Sequence, residues 1–364
     1  MKIGILTFHR AINYGAVLQC YALSEVLKGM GHDVEVIDYR PPYIEKYRNL
    51  FYWNDFKKLE IAAKLKSLCL LPINYYHRKK SAKAFDSFLV EYIKTSSVVK
   101  NISDVPRYYD TIIFGSDQIW SPEICEGFDP VFWGQFSKER IKFVTYAASL
   151  GKHNRMNSEK WNEISRMIKA YDCVSVRELS LQQDIKQYTN VNASLVIDPT
   201  LLASRKIFES IAIKPGEEKY VLLFTLEKSE KAYNLAKRIA KERRCKLIRL
   251  QATAGIRNKE KLMLREGLTP SEFLGYFKYA EFIVTVSFHG TAFSVIFNKN
   301  FYTVHSKQED RAANLLQSVG LTDRLVDPDD IKEIVDVNHN NTDITIAEMR
   351  KESLFFLANC LKNI

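Results

Sequence analysis

A histidine titrating near neutral pH can give or take a proton in a reaction. One histidine of this chain also stands where an anion would be held. It is His289, in Ser287-Phe288-His289-Gly290-Thr291. The preceding residues, Phe282 to Val286, form an apolar run that suits a strand covered on both faces. Gly290 reads as the sharp turn after that strand, and Thr291 to Phe297 as the apolar helix that follows. In an open α/β sheet, ligands bind at the carboxyl ends of the strands. A helix start adds free N–H groups and a positive dipole end, both suited to an anion. The stretch therefore predicts an anion pocket with an imidazole at its mouth.

Other polar residues recur at the ends of apolar runs. Thr111 to Phe114 leads into Gly115-Ser116-Asp117, and Lys142 to Ala148 leads into Ser149. Cys173 to Val176 leads into Arg177-Glu178, and Leu195 to Ile197 leads into Asp198. If these runs are strands of one parallel sheet, Asp117, Ser149, Arg177 and Asp198 gather on its ligand-binding edge. Asp198 also precedes Pro199, a pattern that caps a helix, and both readings stand.

These residues need a frame to hold them. Lys2 to Phe8 reads as a first core strand. After the turn His9-Arg10-Ala11-Ile12-Asn13-Tyr14-Gly15 comes a helix with Leu18, Ala22, Val26 and Met30 on one stripe. Asp33 to Tyr39 is the second strand, completing a right-handed β-α-β unit. It carries no G-x-G-x-x-G, which disfavours a dinucleotide site. A second alternation of strands and helices starts near residue 205 and includes Tyr220 to Leu226, Ser229 to Arg243, Cys245 to Leu250 and Phe301 to Ser306. The expected fold class is α/β, with two Rossmann-like domains in a GT-B-like arrangement around an interdomain cleft. Residues 1–200 form the first domain, 201–340 the second, with the linker at 199–215. Residues 341–364 form an amphipathic helix, with Ile346, Met349, Phe356 and Cys360 on one face, that returns toward the first domain.

Length and composition fit this frame. A chain of 364 residues exceeds what one core usually holds. No apolar run reaches the ~18–20 residues that span a bilayer, and the chain opens directly into a core strand without signal-peptide features. The six cysteines are widely spaced with no C-x-x-C pair. That argues against a zinc ribbon or disulfide framework and for buried thiols in a cytoplasmic protein. A net charge of +10 implies an anionic partner. No nucleic-acid-binding motif accompanies it, which disfavours nucleic acid. Leu50 to Trp53, with Lys57, Lys58, Lys64, Lys66 and His77 to Lys80, has two readings. One is a packed helix pair with a solvated basic face. The other is an element resting on an anionic membrane surface.

Five motifs occur in order: Phe8 to Gln19, Phe114-Gly115-Ser116-Asp117-Gln118-Ile119-Trp120, Ser175-Val176-Arg177-Glu178, Ile197-Asp198-Pro199-Thr200-Leu201, and Ser287 to Ser294. In these the chain resembles the polysaccharide pyruvyl transferase family over nearly its whole length. The resemblance implies a ketal pyruvyltransferase that needs no metal or organic cofactor. Such an enzyme moves pyruvate from phosphoenolpyruvate onto two hydroxyls of a hexose, with galactose expected here, and releases phosphate. The acceptor it implies is a lipid-linked precursor of a surface polysaccharide, met at the inner face of the cell membrane.

The resemblance also implies site residues. Arg177, Ser287, Phe288, His289, Gly290, Thr291 and Lys307 would bind phosphoenolpyruvate. His9, Asn13, Tyr14, Gly15, Ser116 and Asp117 would form the acceptor side, with Tyr14 stacking on a pyranose face. His289, Arg177 and Asp117 would be catalytic. The donor's phosphate would raise the pKa of His289 and favour the acid-ready form. Many relatives carry an arginine where Ser287 stands and an aspartate where Val286 stands, so Arg177 and Lys307 are expected to take more of the donor's charge. Two other functions fit the same frame: a GT-B glycosyltransferase using a sugar nucleotide, and a non-catalytic carbohydrate- or lipid-binding protein.

Overall fold

A computed structural model describes residues 1–46, 48, 61–151, 156–226, 229–251, 263–305 and 310–362. Leu50 to Trp53, Lys57, Lys58 and Lys307 lie outside the described residues, as do the side chains of Lys64 and Lys66. The strands are β1 (Lys2–Leu6), β2 (Asp33–Tyr39), β3 (Thr95–Val99), β4 (Thr111–Phe114), β5 (Lys142–Thr145), β6 (Ser175–Val176), β7 (Ser194–Leu195), β8 (Tyr220–Phe224), β9 (Lys246–Gln251), β10 (Met263–Glu266), β11 (Phe282–Thr285), β12 (Phe301–Val304) and β13 (Leu325–Val326). The α-helices are α1 (Tyr14–Gly29), α2 (Pro42–Glu45), α3 (Ile61–Tyr92), α4 (Ser158–Met167), α5 (Leu179–Thr189), α6 (Pro199–Leu202), α7 (Arg205–Ile211), α8 (Glu230–Glu242), α9 (Pro270–Tyr279), α10 (Phe288–Ile296), α11 (Asp310–Ser318) and α12 (Thr342–Leu361).

The strands build two parallel sheets. The first has the order β3-β2-β1-β4-β5. Parallel bridges from Val144 to Cys173 and from Ala148 to Val176 carry it on to the pair β6-β7. The second has the order β10-β9-β8-β11-β12-β13. β4, β8 and β11 are buried at every position and β1 at every position but Lys2, as strands covered on both faces must be. The strand order reverses between β1 and β4 in one sheet and between β8 and β11 in the other. In open α/β sheets such reversals are where ligands settle.

A continuous apolar seam joins the two halves. Tyr14 at the start of α1 stacks on Phe273 of α9, with ring centroids 4.2 Å apart, and its hydroxyl donates to the Leu268 carbonyl. Phe85 of α3 also packs on the tyrosine ring, with centroids 5.0 Å apart. The amino-terminal part of α3's described side chains packs against the second sheet too, where His77 lies 2.6 Å from Glu266. From residue 76 onward, α3 is thus a packed helix that ties both halves together. α12 returns to the first half: Arg350 donates to the carbonyls of Leu201 and Ala203, and the Ile197 amide donates to Ser353. No helix among the described residues is long and apolar enough to cross a membrane.

The caps follow from sequence. Asn13 Oδ1 accepts from the amides of Gly15 and Ala16 at the start of α1. Thr269 and Glu272 form a reciprocal capping box at α9, with Pro270 at the first helical position. α10 begins at Phe288, three residues earlier than the expected start at Thr291. Gly290 therefore lies inside the first helical turn and is not the turn itself. Its lack of a side chain serves close packing, since a β-carbon there would fall within 3.0 Å of Thr285 of β11.

Candidate active site

The carboxyl ends of β4, β5, β6 and β7 converge on Arg177. Its Nη1 donates to Asp198 Oδ2 at 2.8 Å, its Nε to Glu178 Oε1 at 3.1 Å and its Nη2 to Asp117 Oδ1 at 3.3 Å. Ser149 donates to Glu178 and Ser116 to Asp198. The guanidinium side chain is only 3% exposed. Burial works against its charge, but Glu178, Asp198 and Asp117 outweigh it and hold the proton more firmly than in water. Asp117 reaches this position from a left-handed backbone, with φ at +75°. Three carboxylates surround one cation, so the cluster carries an excess of negative charge. Among the described residues no group of three or more His, Cys, Asp or Glu side chains is arranged to hold a metal ion.

His289 meets this cluster from the second half. It sits in the first turn of α10, whose N-cap Ser287 accepts from the Gly290 amide at 3.0 Å. His289 Nε2 lies 4.0 Å from Asp198 Oδ1 and is buried with no hydrogen-bond partner. On its other side, a β-carbon on Gly15 would fall within 3.0 Å of Nδ1, Cγ and Cε1. Burial lowers the imidazole pKa below its ordinary value, with Arg177 and Arg311 adding to the effect while Asp198 and Asp117 oppose it. Burial alone would raise the pKa of Asp198, but His289 and Arg177 outweigh it and hold the carboxyl below its usual range. The resting pair is thus an ionised carboxylate facing a neutral imidazole at neutral pH.

Phe288 lines the approach. The guanidiniums of Arg177 and Arg311 lie over its ring, 5.6 and 5.7 Å from the ring centre. The same ring walls a cavity of about 420 Å³ shared by both halves and α12, with Asp198, Leu201, Arg311 and Met349 among its other walls.

The structure brings Ser116, Asp117, Arg177 and His289 together, with Gly15 against the imidazole. Other residues read from the sequence as site residues have different work. The His9 ring is buried and lies 3.1 Å from Asp38, away from the cluster. Tyr14 is consumed by the seam, so no ring face is open to a sugar. Asn13 and Ser287 spend their side-chain oxygens on helix caps. Thr291 is buried and bonds Thr303 and the Ser287 carbonyl. Arg177 bonds three carboxylates and also lines the cavity beside Phe288. Glu178 is the residue the sequence reading passed over. Its signal was a carboxylate directly beside Arg177 at a strand end, and its Oε2 is buried without a partner.

Two parallel α/β sheets with helices, joined by a shared apolar seam, make a GT-B-like fold. The family model for Polysaccharide pyruvyl transferase matches residues 13–306, and the chain belongs to that family, which is a family of enzymes. No curated protein matches the chain. Among solved structures, S. aureus MnaA, in a co-structure with UDP, is 12% identical over 97% of this chain and 88% of its own, with a TM-score of 0.49. UDP-GlcNAc 2-epimerase from Neisseria meningitidis, bound to UDP-GlcNAc, is 9% identical over 100% of this chain and 95% of its own, with a TM-score of 0.46. Arabidopsis thaliana UGT89C1, complexed with quercetin, is 11% identical over 97% and 94%, with a TM-score of 0.43.

Proposed function

We propose that this chain transfers pyruvate from phosphoenolpyruvate to two hydroxyls of a hexose, galactose being the expected sugar, in a lipid-linked polysaccharide precursor. The observation that carries the reading is the buried, unpartnered Nε2 of His289 beside an ionised Asp198 at the seam. A neutral imidazole held there is ready to take up a proton when an anion arrives. The donor's phosphate supplies that anion and raises the imidazole pKa. Protonated His289 then gives its proton to the methylene carbon of the donor, which becomes a methyl group, and C2 becomes oxocarbenium-like. The excess negative charge of Asp117, Glu178 and Asp198 suits that developing cation. Arg177 fixes the three carboxylates in place.

The first sugar hydroxyl adds to C2, with Asp117, the most exposed of the three carboxylates, taking its proton. The C2–O bond to phosphate breaks, and the second hydroxyl closes the ketal. Of the two hydroxyl protons, one restores the proton given to carbon and the other leaves with phosphate. The test is incubation with phosphoenolpyruvate and a galactose-terminated acceptor, following phosphate release and the mass gain of one ketal. Turnover supports the reading. Absence of turnover together with binding of a sugar nucleotide contradicts it.

A further inference from the structure

Among the described residues, Arg249 is a buried cation without a counter-charge. It lies inside the otherwise apolar run Leu247-Ile248-Arg249-Leu250 of β9 and is 6% exposed. Its register partner on β8 is Leu223, which pairs in turn with Val284 of β11, so its side chain leaves the sheet on their face. Nη2 donates to Thr225 Oγ1 at 3.3 Å, and Nε is buried with no acceptor. Among the described residues no carboxylate lies within ion-pair distance of it, whereas Arg177 has three. A guanidinium cannot shed its proton, and a buried charge left unpaired weakens a fold. Such a residue is tolerated where an anion completes it.

The surroundings fit a ligand. Thr225 directly follows β8, at the reversal of strand order between β8 and β11. β11 leads straight into the turn that carries His289. The two strand ends are bonded, with Thr285 Oγ1 donating to the Phe224 carbonyl at 2.8 Å. β9 stands two strand spacings from β11, about 10 Å, and the Arg249 side chain reaches across to the first of them.

We infer that Arg249 and Thr225 form an oxyanion site for a phosphoryl group at the carboxyl ends of β8 and β9. The fork of a guanidinium matches two phosphate oxygens, and the threonine hydroxyl can turn to donate a third bond. Under the reaction proposed above, on which this assignment of ligand rests, the site takes part of the donor's charge. The same chemistry would hold the diphosphate of a carrier-linked or nucleotide-linked sugar.

Calorimetric titration of the full chain with inorganic phosphate, phosphoenolpyruvate and a nucleoside diphosphate tests it, alongside thermal melts. Phosphate is expected to bind and raise Tm. Arg249→Met should weaken binding by about 10- to 100-fold, abolish the Tm rise, and melt above wild type in anion-free buffer, because an apolar stem replaces an unpaired charge. Thr225→Val keeps the charge and should weaken binding more mildly. Loss of phosphoenolpyruvate binding in Arg249→Met assigns the site to the donor, and loss of diphosphate binding alone assigns it to a carrier. Equal affinities for all three ligands in wild type and Arg249→Met overturn the site. If Arg249-dependent phosphate binding persists in a chain that transfers no pyruvate, the reaction is wrong and the site stands.

Discussion

Gly15 leaves the space that the imidazole of His289 fills. A β-carbon at Gly15 would lie within 3.0 Å of three ring atoms, a separation real β-carbons essentially never show. The glycine belongs to the first helix of one half and the histidine to a helix of the other, so the seam closes around the proposed proton-transfer group. Gly15→Ala should therefore displace the ring and lower transfer activity about 100-fold, within the span of a lost acid–base group. A double-mutant cycle checks the cause. Gly15→Ala should lower Tm in the wild-type background and have little effect in His289→Ala, where the clashing ring is gone.

The buried imidazole also leaves a mark on stability. Its folded pKa is depressed by burial, while the unfolded chain titrates near its usual value of about 6.5. Between those two values only the unfolded chain takes up the proton. Stability is therefore fully present above about pH 6.5 and falls as pH drops through the window, levelling off below the folded pKa. Chemical denaturation of wild type and His289→Asn across pH 5–8 should show this slope in the wild type and a shallower one in the variant. Parallel slopes contradict the assignment.

Asp198 holds three roles at once. It caps α6 through the Thr200 amide, pairs with Arg177, and faces His289. Asp198→Asn should cost about 3–5 kcal/mol, as expected for breaking a buried ion pair. It also removes the leading attraction that supports protonated His289. The high-pH limb of the pH–rate profile, where His289 loses the proton it must give, should then move to lower pH, and a limb that stays in place would count against the pairing.

Tyr14 separates packing from recognition. Tyr14→Phe loses the bond to the Leu268 carbonyl and should cost about 1 kcal/mol. Tyr14→Ala removes a stacked, buried ring and should cost about 3–5 kcal/mol. The acceptor KM should be unchanged in Tyr14→Phe. A large rise in KM at unchanged stability would restore a sugar-binding role to the Tyr14 hydroxyl.

The strand ends were legible in the sequence because period and burial force them. Apolar runs ending in Asp117, Arg177 and Asp198 had to stop at a sheet edge, and a shared edge brings them together. Asp198 satisfied both of its readings. What one sequence does not carry is contact between halves. Nothing local marks Tyr14 for a stack on Phe273, or Gly15 as the gap that admits His289. The start of α10 was misplaced because Gly290 looks like a turn when its partner, Thr285, is unseen. Arg177 looked like a free cation because two of its carboxylates, Asp117 and Asp198, come from other strand ends. Arg249 did carry a local signal, a charge inside a buried parallel strand.

In the proposed reaction His289 delivers a proton to the donor's methylene carbon. Transfer run in heavy water tests it most directly. The account predicts a ketal whose methyl group holds one deuterium, formed about 10²–10⁴-fold more slowly by His289→Ala while phosphoenolpyruvate still binds. A product whose methyl group holds no solvent hydrogen, or a His289→Ala variant that turns over at the wild-type rate, would contradict it.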